Sequence, residues 1–146
     1  MRVVKAPNSI QERTLFLAGS IEMGVAENWQ QKVEKLLVNT DWTILNPRRD
    51  DWDSSWVPSI DNPQFKEQVY WELDGLAVVE QILFYFDPTT KSPITLLELG
   101  LMVGLEPYKI MVVCPKGYWR KGNVDIVCER FGIPMYSTIE EACSKL

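Results

Sequence analysis

Histidine is absent from the 146 residues, and cysteine is scarce at three. The first absence excludes imidazole acid–base catalysis and the common histidine-containing metal sites. Proton transfer and nucleophilic attack are left to carboxylates, tyrosines, lysines, cysteines or hydroxyls. Cys114, Cys128 and Cys143 are odd in number and widely spaced, which fits reduced core thiols of a cytoplasmic protein better than a disulfide frame or a zinc site. Long apolar runs are missing as well. No stretch approaches the ~20 residues that span a bilayer, and Met1-Arg2-Val3-Val4-Lys5-Ala6-Pro7 lacks the apolar centre of a signal peptide, so no membrane partner is expected. The net charge of −5 comes without a block of like charges, which argues against a general binder of DNA or RNA polymers, though a local cluster could hold one phosphate. No repeat or low-complexity tract is visible. The length fits one domain, residues 1–146, with a core large enough to need no disulfide or metal.

Against this background one charge stands out. Glu98 is the only charged residue between Lys91 and Glu106, inside the run Ser92-Pro93-Ile94-Thr95-Leu96-Leu97-Glu98-Leu99-Gly100-Leu101-Met102-Val103-Gly104-Leu105. A carboxylate desolvated among leucines costs several kcal/mol unless it is paired or hydrogen-bonded. Chains keep such a group for chemistry, or pair it with an arginine from another element. Ile82-Leu83-Phe84-Tyr85-Phe86 reads as a buried strand stopped by Asp87-Pro88-Thr89-Thr90. Ser92 is then expected to cap a helix with Pro93 at its first position, where a missing N–H costs nothing. Glu98 falls on the second turn of that helix, and Thr95 shares its face. In open α/β sheets, ligands bind at the carboxyl ends of the strands, where this loop would lie.

The remaining elements alternate. Thr14 to Ala18 reads as a strand, followed by the small-residue turn Gly19-Ser20-Ile21-Glu22-Met23-Gly24, which lets backbone approach a ligand. Asn28 is placed to cap a helix through Trp29, Val33, Leu36 and Leu37. Trp42 to Leu45 is a strand ended by Asn46-Pro47, and Arg48 to Pro63 is a long polar loop bearing tryptophans. Gln64 to Val79 has helical periodicity through Phe65, Val69, Leu73 and Leu76. After the Glu98 helix come a strand at Lys109 to Cys114, a polar loop to Lys121, a short helix from Val124 to Arg130 and a short strand at Met135-Tyr136. Ser137-Thr138-Ile139-Glu140 matches a capping box opening a last helix. Alternation of this kind predicts a three-layer α/β domain, flavodoxin-like or Rossmann-like, with a central parallel sheet. Gly19 to Gly24 does not meet the spacing of the dinucleotide fingerprint, so no cofactor is expected.

Phe16-Leu17-Ala18-Gly19-Ser20-Ile21, Asn46-Pro47-Arg48-Arg49, Phe86-Asp87-Pro88 with Lys91-Ser92-Pro93, Leu97-Glu98-Leu99-Gly100 and Trp119-Arg120-Lys121-Gly122-Asn123 fall in an order that resembles the nucleoside 2-deoxyribosyltransferase superfamily, in its nucleoside 2-deoxyribosyltransferase-like branch. The likeness runs over residues 14 to 143. It implies cleavage of the N-glycosidic bond of a small-molecule nucleoside or nucleotide. The glutamate of the Glu-Leu-Gly motif, here Glu98, attacks the anomeric carbon, and a second base or water then takes the glycosyl group. The acid that serves the leaving base is implied at Glu72, with Asp74 as the neighbouring candidate. Gly19 and Ser20 match the loop that contacts the sugar or its 5′ group. Ser92 matches a position that is aspartate in the transferases and serine in the 2′-deoxynucleoside 5′-monophosphate N-glycosidases. Asn123 matches a residue lent by a neighbouring subunit, so a homodimer or larger homo-oligomer with shared sites is implied. Two positions depart from the pattern. Phe16 replaces a tyrosine that bonds the nucleophile in several members, which leaves Tyr85 as a candidate donor, and Glu22 replaces the phosphate arginine of the nucleotide glycosidases.

Several residues admit two roles. Arg48 and Arg49 either recognise phosphate bidentately or pair with Asp50, Asp51 and Asp53. Trp52 and Trp56 either stack on a base or roof a core or an interface. Arg120 and Lys121 are either 5′-phosphate ligands or solvated charges. Three activities follow: glycosyl transfer between bases, hydrolysis of nucleoside 5′-monophosphates, and an idle nucleotide-binding module on the same fold.

Overall fold

A computed structural model describes residues 1–7, 14–21, 26–51, 53 and 55–146. Six strands, β1 (Arg2–Lys5), β2 (Thr14–Gly19), β3 (Thr43–Asn46), β4 (Gln81–Tyr85), β5 (Ile110–Val113) and β6 (Met135–Tyr136), form one sheet in the order β1-β3-β2-β4-β5-β6. Every pairing is parallel, with Phe16 opposite Ile82 and Gly19 opposite Tyr85 in the central pair. The three-layer α/β expectation therefore holds. The four inner strands are buried on both faces, which is why they read as unbroken apolar runs.

Connection handedness decides which face each helix covers. α2 (Pro63–Val78), α3 (Pro93–Leu105) and α4 (Lys121–Phe131) pack on one face, over Phe16, Leu45, Ile82, Phe84 and Val112. α1 (Trp29–Leu36) and α5 (Ile139–Cys143) cover the other, over Leu15, Leu17, Ile44, Leu83 and Val113. The chain winds from β2 toward β3 and then crosses back to β4. The strand order thus reverses beside β2, which puts the switch point, where open α/β sheets bind their ligands, at the carboxyl ends of β2 and β4.

Four readings of the sequence are corrected. β1 went unrecognised because it is a four-residue edge strand with a cation at each end, charges of the kind that discourage edge-to-edge pairing. A 3₁₀ turn at Pro107–Lys109 precedes β5. On α2 the buried residues are Gln68, Trp71, Gly75 and Leu76, and the apolar stripe Phe65, Val69 and Leu73 lies to one side. That stripe joins Ile60, Lys66 and Tyr70 around an open surface groove of about 280 Å³. At α5 the cap is Thr138 rather than Ser137: Thr138 accepts from the Glu141 amide at 3.1 Å, while the Glu141 carboxylate accepts from the Ser137 amide at 2.9 Å.

Helix starts at Asn28 and Asn62 are capped as their residue types dictate, by amide donation to each side-chain oxygen. Ser92 occupies the cap position of α3 but makes no capping bond, a further correction. Its backbone is left-handed, with φ of 49°, and its hydroxyl turns away from the helix amides. All three cysteines are buried free thiols. Among the described residues, no helix is long and apolar enough to cross a membrane.

Candidate active site

At the end of β2, the backbone passes between β4 and α1 with no room for a side chain. A Cβ on Gly19 would lie 2.6 Å from the Tyr85 carbonyl oxygen and 2.5 Å from the Trp29 ring. The Trp29 indole N–H donates to the Ser20 carbonyl at 3.1 Å, and the Ser20 amide donates to the Tyr85 carbonyl at 3.2 Å. Ser20 is thereby fixed with its hydroxyl toward the loop after β4. There it accepts from the Asp87 amide at 3.0 Å and from the Thr90 hydroxyl at 2.9 Å, and it also bonds the Ser92 hydroxyl. Thr90 and Ser92 are 2.7 Å apart. The left-handed turn at Ser92 is what brings its oxygen into this group, and all three hydroxyls are buried. Asp87 shapes the loop by accepting from the Thr89 amide and hydroxyl at 2.8 and 2.7 Å.

Glu98 lies on the second turn of α3, between buried Leu99 and exposed Leu97, and keeps part of its surface. No arginine or lysine among the described residues pairs with it, so the structural ion pair weighed from the sequence is not formed there. Its charged neighbour is Glu72, on the third turn of α2. Burial pushes the Glu98 carboxyl up to about 8, and the Glu72 charge adds to the rise. Glu72 is likewise raised by burial, to about 7, with a hydrogen bond from Gln68 pulling in the other direction. Two like charges close together favour a state in which one proton remains.

Asp74 does not join them. Two helical residues apart is a rotation of about 200°, and Asp74 is exposed while Glu72 points inward. Tyr85 does not reach Glu98 either. Successive strand residues face opposite sides, so Phe84 and Phe86 underlie α3 whereas Tyr85 packs 5.1 Å from the Trp29 ring on the α1 side. Burial raises the Tyr85 phenol to about 12, and the carboxylates that add to the rise are Asp87, Glu27 and Glu140, not Glu98. Phe16 is fully buried on the α2 side, 6.0 Å from the Trp71 ring.

The two arginines are held by local partners. Arg48 donates to the Ala26 and Glu27 carbonyls and to Gln30 Oε1 at 3.3 to 3.4 Å. Arg49 binds Asp51 bidentately at 2.8 and 2.9 Å, with Trp56 5.2 Å from its guanidinium carbon. Trp52 and Glu22 lie outside the described residues. Asn123 is exposed on the first turn of α4. Beside it, Arg120 sits 4.4 Å over the exposed Trp119 ring, and Lys121 pairs with Asp125 at 2.9 Å.

Thr90 and Gln68 were not singled out from the sequence. Thr90 carried a signal in the Asp87-Pro88-Thr89-Thr90 turn, which gathers hydroxyls beside the strand end. Gln68 carried a weaker one, since it stands four residues before Glu72 and so on the same helical face.

A family model described as nucleoside 2-deoxyribosyltransferase like matches residues 12–118. The chain belongs to that family. The nucleoside 2-deoxyribosyltransferase-like match spans β2 through the loop after β5. It therefore takes in the hydroxyl cluster, Glu72 and Glu98, and ends before Asn123. No curated protein matches the chain.

Proposed function

We propose that this protein cleaves the N-glycosidic bond of a nucleoside and passes the (deoxy)ribosyl group to a second base through a covalent intermediate on Glu98. The observation that carries this reading is that two half-buried carboxyls, Glu72 on α2 and Glu98 on α3, lie near enough for one charge to act on the other, in a chain of the nucleoside 2-deoxyribosyltransferase-like family. Near neutral pH the pair holds one proton. The form with the proton on Glu72 and the charge on Glu98 is the reactive one.

In the first half-reaction the ionised Glu98 oxygen bonds to C1′ as the C1′–N bond breaks. The bonding electrons stay with the base nitrogen, and the Glu72 proton neutralises the departing base. A neighbouring negative charge also stabilises the oxocarbenium-like transition state. In the second half, Glu72 takes the proton from an incoming base as its nitrogen displaces Glu98. Gly19 and Ser20, with Ser92 and Thr90 beside them, offer backbone and hydroxyl groups suited to the sugar and its 5′ end. Asp74 has no part in this scheme.

We further propose that the domain, residues 1–146, works as a homo-oligomer in the cytoplasm. Ile94, Leu97, Leu101 and Leu105 form an exposed apolar stripe on α3, next to the face that carries Glu98. Buried unpaired thiols suit a reducing compartment. The test is chromatography of deoxynucleosides and their 5′-monophosphates after incubation with the protein, each with and without a second free base. A new nucleoside formed only with the added base supports transfer. Base and sugar released regardless of acceptor would replace it with hydrolysis, the reading that serine at position 92 favours, and silence across the panel would overturn both.

A further inference from the structure

Gln68 is buried at 3 % exposure on the inward face of α2, and every polar atom of its amide is engaged. Its nitrogen donates to the Pro47 carbonyl at 3.1 Å and to Glu72 Oε1 at 2.8 Å. Its oxygen accepts from Arg49 Nη1 at 3.4 Å. Arg49 is itself immobilised by the bidentate contact with Asp51, a second acid at Glu67 4.0 Å away, and the Trp56 ring. The amide cannot turn over without setting its NH₂ against the guanidinium and its oxygen against the Glu72 carboxyl and the Pro47 carbonyl. Its orientation is thus determined from three sides.

We infer that Gln68, locked by Arg49, is a positioning residue that makes Glu72 a one-sided acid. Because Oε1 already accepts the Gln68 N–H, the proton of neutral Glu72 resides on Oε2, the oxygen that Gln68 leaves free. As the C1′–N bond breaks, that proton moves from Oε2 to the base, the bonding electrons go to the base nitrogen, and Gln68 then stabilises the new carboxylate. Cooperative polarisation along the Arg49–Gln68–Glu72 line strengthens the last bond as charge appears on Glu72. The charged groups bearing on Glu72 are Glu98 from α3 and, through Gln68, Arg49 with its acids Asp51 and Glu67. The inference rests on the reading of Glu72 as the acid.

The test compares Gln68→Met with the native enzyme on two donors, an ordinary nucleoside and a deoxyribosyl donor whose leaving group departs as a stable anion and needs no proton, each followed as single-turnover release of the leaving group so that the step in which Glu72 acts as base does not enter. On the nucleoside, the maximal rate of release is expected to fall about 10- to 100-fold with the half-saturating donor concentration within about threefold. The alkaline limb of the pH–rate profile should move upward, since the bond that favours ionised Glu72 is gone. On the activated donor the variant should keep most of its rate, which shows that the site is folded. Equal losses on both donors, or an unmoved alkaline limb, would overturn the inference. Glu72→Gln, measured in parallel, separates the two ideas. If it slows both donors alike or neither, the acid assignment of Glu72 fails, whereas selective loss there without selective loss in Gln68→Met sinks only the role of Gln68.

Discussion

Glu98 and Glu72 differ in how visible they were. A lone carboxylate in a fourteen-residue apolar run declares itself from the chain alone, because nothing cheaper than function or a partner explains it. Glu72 does not, since Asp74 stands two positions away and only the rotation of α2 decides which acid points inward. The family resemblance named the position, and the fold separated the two acids. We expect Glu98→Ala to lose at least about 10³-fold in transfer rate while its far-UV spectrum is unchanged; wild-type turnover would remove Glu98 as nucleophile. Asp74→Asn should stay within about twofold of the native rate in the same assay. A loss as large as that of Glu72→Gln would mean that the exposed acid reaches the substrate after all.

At the level of elements, the inner strands and the helices between them were legible because both faces of the sheet are covered, so apolar runs and polar breaks alternate without ambiguity. The buried face of α2 was misread for a physical reason. Its core contact is made by Gln68, Trp71, Gly75 and Leu76, of which Gln68 and Gly75 carry little apolar signal and Leu76 alone belongs to the expected stripe, while Phe65, Val69 and Leu73 line the surface groove. Gly75 is needed there because a Cβ would come within 2.6 Å of the buried Phe16 ring. Gly75→Ala should therefore destabilise the fold by about 1–3 kcal/mol. Gly100→Ala, where a Cβ meets nothing within 4 Å, should be neutral or stabilising through better helix propensity. Urea titration of the two variants checks both, and a Gly75→Ala midpoint equal to the native one would disprove the close packing of α2 on Phe16. The cap expected of Ser92 at α3 fails for a related reason: serine before proline signals a helix start, but not that its backbone will turn left-handed and lend its oxygen elsewhere.

The whole molecule carries two consequences of the carboxyl pair and the apolar stripe. Burial raises Glu72 and Glu98 above the ordinary value of 4.5, so between that value and about 8 the folded chain binds more protons than the unfolded one. Stability must then fall as pH rises through this window. Calorimetry should show Tm declining from pH 5 to pH 8.5, with a shallower decline in Glu98→Gln and an advantage for the variant of on the order of 1–2 kcal/mol at the alkaline end. Parallel curves for the two proteins would contradict the burial of the pair. Association is checked by sedimentation equilibrium: Leu101→Glu should shift the native protein toward monomer, and a native protein already monomeric at micromolar concentration would dispose of the proposed assembly. Oligomerisation was implied by resemblance alone, since a single chain's periodicity cannot tell an apolar stripe that meets the core from one that meets another molecule.

The missing side chain at Gly19 sets limits on how this end of the sheet can be re-engineered. Backbone on one side and an indole on the other leave that position no alternative residue, while Ser20, Thr90 and Ser92 a few ångströms on exchange hydrogen bonds mainly among themselves and with the Asp87 backbone. A library randomised at all four codons and selected for any new sugar preference should return glycine at the first without exception and its diversity at the other three. The mouth of the sheet is in that sense divided into an invariant hinge pin and an adjustable wall, and altered specificity has to enter through the wall.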